Sequence, residues 1–127
     1  MKHAASFKDL EVYQRSREAA KEIFLITKNF PKEEKFSLID QIRRSSRSVG
    51  AQIAESWGKR RYKNHFILKL TDADSEQYET QHWLEVSLEI GYIDKSIKES
   101  LAQKYESIGR MLNSMMDKAD LFCRKGQ

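Results

Sequence analysis

Residues 38–70 decide the fold, and they read LIDQIRRSSRSVGAQIAESWGKRRYKNHFILKL. Apolar side chains recur every three, four or seven positions from Ile39 to Trp57, which is the spacing of one helix face. This face consists of Ile39, Ile42, Val49, Ile53 and Trp57, with Ser46 in the same stripe. A second stripe starts at Phe66, after a short segment that contains Gly58 and four basic residues. Two amphipathic helices joined this closely pack side by side in opposite directions.

The same spacing covers the rest of the chain and is interrupted at three places. These are Asn29-Phe30-Pro31, Gly58-Lys59-Arg60-Arg61 and Gly91-Tyr92-Ile93-Asp94. Proline cannot continue a helix, and glycine readily adopts the left-handed conformation that ends one. Four helices are therefore predicted, at about residues 7–28, 34–57, 64–90 and 96–122.

Polar residues next to the interruptions predict the helix ends. We expect Gly58 to end the second helix in the left-handed conformation and Gly91 to close the third. Asn64 is predicted to cap the start of the third helix. Ser96 and Glu99 have the spacing of a capping box at the start of the fourth.

These elements predict an all-α fold, an antiparallel up-down-up-down four-helix bundle. The 127 residues have room for one domain, so residues 1–127 are expected to form a single domain with its core at about 7–122. At ~1.5 Å per residue the helices have matching lengths of roughly 33 to 45 Å.

The composition excludes several protein classes. Hydrophobic residues make up 39% and charged residues 33% of the chain, which excludes a disordered tail or a collagen-like fibre. The longest apolar run, residues 23–26, is far shorter than the ~20 residues of a membrane span. The N-terminal residues show no secretory signal, and the single cysteine, Cys123, excludes an internal disulfide. We therefore expect a cytoplasmic protein without a membrane partner.

Charge is segregated along the chain. The net charge of +4 is the balance of +2 over residues 1–31, +5 over 32–63, −5 over 64–91 and +2 over 92–127. A basic second segment and an acidic third one each need a partner of opposite sign. That partner is a neighbouring helix, another subunit or a polyanion.

The candidate site is a basic cluster in the second segment. Its members are Arg43, Arg44, Arg47, Lys59, Arg60, Arg61, Tyr62 and Lys63. Arginine offers a bidentate fork to phosphate, and Tyr62 can stack on an exposed base. The cluster therefore predicts nucleic-acid binding.

An alternative applies above all to the three helical arginines, which have candidate counter-ions in the third helix. These are Asp72, Asp74, Glu76 and Glu79. In this interpretation the two helices neutralise each other, within the bundle or between subunits. The loop at residues 59–63 is better placed for an external anion.

No other motif predicts chemistry. Glu79 and His82 have the Glu-x-x-His spacing of di-iron bundles, but those need a second such motif, and the chain has only three histidines. Ser37, Ser45, Ser46 and Ser48 are interpreted as small residues at a helix crossing. Glu55 is predicted to be a buried or interfacial acid paired with an arginine. We expect no catalytic residue, no cofactor and no metal ligand.

Four motifs in order resemble a known family. They are Phe7-Lys8-Asp9-Leu10-Glu11-Val12-Tyr13; Phe30-Pro31-x-x-Glu34 with Leu38 and Gln41-Ile42-Arg43-Arg44-Ser45; Ile53-Ala54-Glu55; and Phe66-Ile67-x-Lys69-Leu70 with Glu79-Thr80-x-x-Trp83-Leu84. Over roughly residues 7–122 the chain is similar to the bacterial four-helix-bundle proteins encoded in intervening sequences of 23S rRNA genes. It departs from the pattern at Gln52, at Ser56 and near Ala73-Asp74-Ser75, where the family usually has Asn, Gly and a Gly-Ser pair.

The resemblance implies a left-handed bundle that assembles into a ring-shaped homopentamer. A related branch, the accessory protein of diversity-generating retroelements, binds nucleic acid and a reverse transcriptase through a basic surface. We therefore expect a non-enzymatic oligomer that binds structured RNA or DNA, with a protein partner such as a reverse transcriptase. The alternative is a structural or protein-binding ring without a nucleic-acid role.

Overall fold

The computed structural model describes residues 4–124, and across this range the regular structure is helical throughout. The four main helices are α1 (Glu11–Thr27), α2 (Leu38–Gly58), α3 (Lys63–Glu89) and α4 (Lys95–Asp117). Short 3₁₀ turns lie at Phe7–Asp9, Lys32–Glu34 and Ala119–Leu121. No helix within residues 4–124 has both the length and the hydrophobicity that crossing a bilayer requires.

Contacts between consecutive helices show that they run antiparallel. Between α2 and α3, the Ser45 and Thr80 hydroxyl oxygens lie 2.9 Å apart, and Lys69 donates to Gln52 over 3.0 Å. Residues later in α2 therefore contact residues earlier in α3. The same reversed order relates α1 to α2 and α3 to α4, as predicted for a four-helix bundle. It is seen in the pairs Thr27–Arg43, Phe24–Arg47, Glu85–Lys98 and Asp74–Asn113.

The core is one continuous cluster to which all four helices contribute. Its largest fully buried side chains include Ile23 of α1, Ile42 of α2, Phe66 of α3 and Tyr105 of α4. Each buried aliphatic or aromatic side chain of this size contributes roughly 1.5 to 3 kcal/mol. Helices that hide one apolar stripe here leave their outer faces free for other contacts.

The first two helices begin later than predicted. Leu10 has an extended backbone (φ −70°, ψ 125°), so α1 starts at Glu11, after a 3₁₀ turn that Ser6 and Asp9 close as a capping box. Another 3₁₀ turn precedes α2, which starts at Leu38.

Three of the predicted caps are wrong. The residue before α3 is Tyr62, whose side chain makes no capping bond, and Asn64 lies inside the helix. The cap of α4 is Asp94, whose side chain accepts a hydrogen bond from the Ile97 N–H over 2.8 Å. Ser96 is therefore not the cap. Gly58 is the last helical residue of α2 and does not have a positive φ.

Gly91 ends α3 as predicted. Its φ is +83°, and its N–H donates to the Leu88 carbonyl over 3.0 Å. The next N–H, of Tyr92, donates to the Ser87 carbonyl over 2.9 Å. This pair of bonds is the Schellman motif, which requires a left-handed residue at the position of Gly91.

We predict that Gly91→Ala lowers the free energy of unfolding by about 1 kcal/mol, because a Cβ is unfavourable in the left-handed region. The matched control is Gly58→Ala. An added Cβ meets nothing within 4 Å at either glycine, but only Gly91 has a positive φ. The control should therefore leave stability unchanged or raise it by up to about 0.5 kcal/mol. Urea denaturation of both variants checks this, and equal effects would contradict it.

Candidate nucleic-acid interface

The three arginines of α2 point in two directions. Residues 43 and 47 are one turn apart and share a face, whereas residue 44 is rotated by about 100° from residue 43. Because α2 packs between α1 and α3, Arg43 and Arg47 lie against α1 and Arg44 lies against α3. The basic cluster of the sequence is therefore divided by the geometry of the helix.

Arg44 forms a salt bridge to two carboxylates of α3. It donates to Glu76 over 3.0 Å and to Glu79 over 2.5 Å, and Glu79 also accepts from the Trp83 indole over 3.0 Å. These bonds raise the pKa of Arg44, since Glu79 and Glu76 stabilise the guanidinium. The predicted pairing of second-helix arginines with third-helix carboxylates is thus confirmed for Arg44.

Arg43 and Arg47 do not pair with α3 within the described chain, so pairing inside the bundle is wrong for both, and pairing between subunits stays a prediction. The Arg43 guanidinium lies 4.6 Å and that of Arg47 5.7 Å from the Phe24 ring centroid. Arg43 also donates to the Thr27 hydroxyl over 2.9 Å. Lys28 places its ammonium 4.8 Å from the same ring, so Phe24 is close to three cations.

Two further cations of α1 extend this surface. Arg17 and Lys21 line a depression together with Glu18, Phe24 and Arg47. We call Phe24 with its surrounding cations the Phe24 cluster; its members are Arg17, Lys21, Phe24, Lys28, Arg43 and Arg47. Within residues 4–124, none of its five cations has a carboxylate oxygen within 4 Å.

The α1 half of the Phe24 cluster is absent from the sequence prediction. The signal was present, since residues 17, 21, 24 and 28 are spaced by four, three and four positions and so share one helix face. The first segment contains both acidic and basic residues and has a net charge of only +2, so this basic face was not recognised from the sequence.

Residues 59–63, the end loop, lie at the end of α2. Arg60 stacks on Trp57, with its guanidinium carbon 3.6 Å from the ring centroid, and its Nε donates to the Trp57 carbonyl over 2.7 Å. A cation at this position is favourable, because the carbonyls at a helix C-terminus carry partial negative charge. Lys59 and Arg61 are exposed. Lys63 forms a salt bridge to Asp120 over 3.0 Å.

Another cation lies near Arg60. The Arg124 N–H donates to the Arg60 carbonyl over 3.2 Å. Partial burial, and then the charge of Arg124, lower the pKa of Arg60. The end loop therefore holds positive charge that its own residues do not fully neutralise.

The two basic surfaces are separate. Arg47 and Lys59 are twelve residues apart on and just beyond α2, which corresponds to roughly 18 Å along the helix axis. The Phe24 cluster lies on the side of the bundle and the end loop at one end. The basic cluster predicted from the sequence is thus divided between two patches, and Arg44 belongs to neither.

The remaining sequence candidates have structural contacts. Glu79 is engaged by Arg44 and Trp83, and no group of three or more potential metal ligands occurs in the described part of the chain. Glu55 pairs with Lys69 over 3.5 Å and its side chain is 54% exposed, so within residues 4–124 it is neither buried nor paired with an arginine; an arginine partner across a subunit interface stays a prediction. Ser45 and Ser46 are buried inside the bundle, as small residues at a crossing would be.

Residues 8–114 match a family model described as 23S rRNA-intervening sequence protein. The chain is also similar to a 1.70 Å crystal structure of a protein with unknown function from the S23 ribosomal protein family from Bacteroides thetaiotaomicron VPI-5482. The two are 34% identical over 83% of this chain and 97% of that one, with a TM-score of 0.74. No curated protein matches.

The bonds of Glu79 predict a dependence of stability on pH. The Trp83 indole and Arg44 hold the pKa of Glu79 below its ordinary value of 4.5. A carboxylate with a lowered folded-state pKa stabilises the fold above about pH 4.5, and this contribution is lost as the pH falls further. Glu79→Gln should therefore reduce the loss of stability between about pH 5 and pH 3, by up to about 1 kcal/mol.

Thermal melts across this pH range test the effect. Glu89→Gln is the control, since Glu89 is an exposed carboxylate of the same helix with no ion pair among residues 4–124. It should leave the wild-type pH dependence unchanged. A Glu79→Gln curve parallel to wild type would contradict the assignment.

Proposed function

The chain belongs to the 23S rRNA-intervening sequence protein family, as the motifs of its sequence predict, and on this premise we propose that it is a non-enzymatic oligomer that binds nucleic acid through a basic surface. The proposal rests on the Phe24 cluster. Five cations converge there from two helices, and none has a carboxylate oxygen within 4 Å among the described residues.

Phosphate is the chemistry that suits this surface. Arginine forks bind phosphate oxygens in a bidentate manner, and the lysines add point charges. Thr27 holds the Arg43 side chain by a hydrogen bond, so part of the conformational entropy of ordering it is lost on folding. The end loop adds Lys59, Arg60 and Arg61 as further candidate contacts at one end of the bundle.

The alternative, mutual neutralisation of α2 and α3 between subunits, is less well supported. Part of the charge that it needs is already paired within one chain, because Arg44 of α2 pairs with Glu76 and Glu79 of α3. The cations left over face α1 and the end of the bundle, where they are open to an external polyanion.

We predict that removing three exposed cations of the Phe24 cluster weakens RNA binding in a salt-dependent way. The triple variant Arg17→Gln, Lys21→Gln, Arg47→Gln should flatten the plot of log affinity against log salt by roughly 2 to 3 units, since each lost phosphate contact removes about 0.7 to 0.9. Fluorescence anisotropy with labelled RNA over about 50 to 300 mM salt measures the slope.

A matched control removes the same charge elsewhere. Arg15, Lys95 and Lys104 are exposed and pair with Glu11, Glu99 and Glu22 at 2.8, 3.8 and 2.6 Å. Their triple Gln variant should retain most of the affinity and the slope. If it loses as much as the first variant, net charge alone governs binding and the Phe24 cluster is not the site.

The outer face of α3 supports the oligomeric part of the proposal. Five of its exposed residues, none of them Asp, Glu, Lys or Arg, are spaced alternately by three and four positions, as in helices that pack against other helices. They are Leu68, Thr71, Ser75, Tyr78 and His82. Leu68 is 60% and Tyr78 64% exposed, so this face presents apolar surface that a second helix could bury. We propose that a second copy covers this α3 stripe. Five copies, and a protein partner such as a reverse transcriptase, are predicted by the resemblance.

A charge placed in the α3 stripe should disrupt the oligomer. We expect wild-type protein to have a mass near five times 14.9 kDa in light scattering, and Tyr78→Glu to shift it toward 14.9 kDa while the helical content stays unchanged. Ser100→Glu, an exposed position on α4, is the control of equal charge. A wild-type monomer would refute the oligomer, and a Tyr78→Glu variant of full size would place its interface elsewhere.

A further inference from the structure

We propose that the end loop binds unpaired bases, so that the preferred ligand of this surface is a single-stranded segment of nucleic acid. This inference rests on the proposed nucleic-acid binding and specifies which form is bound. It comes from the different surroundings of two aromatic rings, Phe24 and Tyr62.

The Phe24 ring is not available to a base. It is partly buried, and Arg43, Lys28 and Arg47 lie 4.6, 4.8 and 5.7 Å from its centroid. Partial burial and the packed cations leave less of this ring free to stack on a base. The Phe24 cluster therefore binds phosphate, which single and double strands both offer.

Tyr62 is more exposed than Phe24 and has fewer cations against its ring. It is 48% exposed, and its ring lies beside that of the exposed His65, with centroids 5.2 Å apart and planes at 57°. These two side chains line a surface depression together with Lys63 and Asn64. The one cation near the Tyr62 ring within residues 4–124 is Arg61, at 5.7 Å. Two planar groups are thus presented to solvent at the end of the bundle.

Positive charge surrounds this aromatic pair. Lys59 and Arg61 are exposed, and Arg60 is held in place by its stacking on Trp57. The first turn of α3 adds to the potential, because no side chain caps its backbone N–H groups. Cations next to aromatic rings are the combination that binds single strands, the cations contacting the backbone and the rings stacking on bases.

The preference of the end loop for single-stranded over duplex nucleic acid follows from the accessibility of the bases. In a duplex the base faces are covered by their neighbours, so Tyr62 gains nothing from stacking and only the cations contribute. In a single strand each base can leave the stack and lie on the ring. The end loop should therefore favour single strands, whereas the Phe24 cluster should not discriminate.

The test compares Tyr62→Ala with Tyr62→Phe on three labelled probes of ~16 nucleotides. These are oligo(U), oligo(dT) and an RNA duplex, each measured by anisotropy at the same series of salt concentrations. We expect Tyr62→Ala to lower affinity for both single strands roughly fivefold or more and to change duplex affinity by less than about twofold. Tyr62→Phe keeps the ring and should bind as wild type. The salt dependence should not change, because no phosphate contact is removed.

Several results would overturn the inference. One is an equal loss with the duplex, another is a loss in Tyr62→Phe as large as in Tyr62→Ala, and a third is an effect on oligo(U) alone, which would indicate a sugar contact. Wild-type binding of all probes with no effect of Tyr62→Ala would refute base stacking but leave the proposed function intact. Wild-type failure to bind any probe would refute both. Circular dichroism should show that both variants are folded, because Tyr62 is half-exposed and lies outside the core.

Discussion

Helix α2 packs against α1 on one side and α3 on the other, and this shared position determines what each of its cations can do. A rotation of about 100° per residue means that Arg43 and Arg44 cannot face the same neighbour. Arg44 meets two carboxylates of α3, and Arg43 meets Phe24 of α1. Charge adjacent in sequence is thus separated in space, and among the described residues Arg44 is the one α2 arginine with a carboxylate oxygen within 4 Å.

The two environments differ in energy as well as in direction. The Arg44 side chain is 48% exposed, so its salt bridges contribute little to stability and mainly fix which helix lies opposite. In the Phe24 cluster, cation–π contacts are worth about 0.5 to 1 kcal/mol each at an exposed site, and they are opposed by repulsion between like charges. An external anion would relieve that repulsion, whereas at Arg44 it would have to displace two carboxylates.

Much of the fold follows from sequence, but the partner of each charged residue does not. Four apolar stripes with short joins predict four antiparallel helices, since only a bundle buries all of them. Helix ends were less predictable because several residues near each end can cap it. Asp94 caps α4 in place of Ser96. Gly58 is helical, whereas Gly91 has a positive φ and ends its helix. The α1 half of the Phe24 cluster was missed because its spacing has meaning only once α1 and α2 are known to pack together.

Repetition in an oligomer would change what these surfaces can achieve. One bundle offers a few phosphate contacts and one aromatic pair at its end loop, which supports modest affinity that falls steeply with salt. When copies are joined, binding to a second surface becomes intramolecular, and overall affinity can rise by a factor of about 10² to 10⁴ without a new contact. If the outer face of α3 is covered by another copy, the Phe24 cluster between α1 and α2 would not be needed for that interface. Assembly through α3 and binding through the basic surfaces would then use different parts of the same bundle, so that neither limits the other.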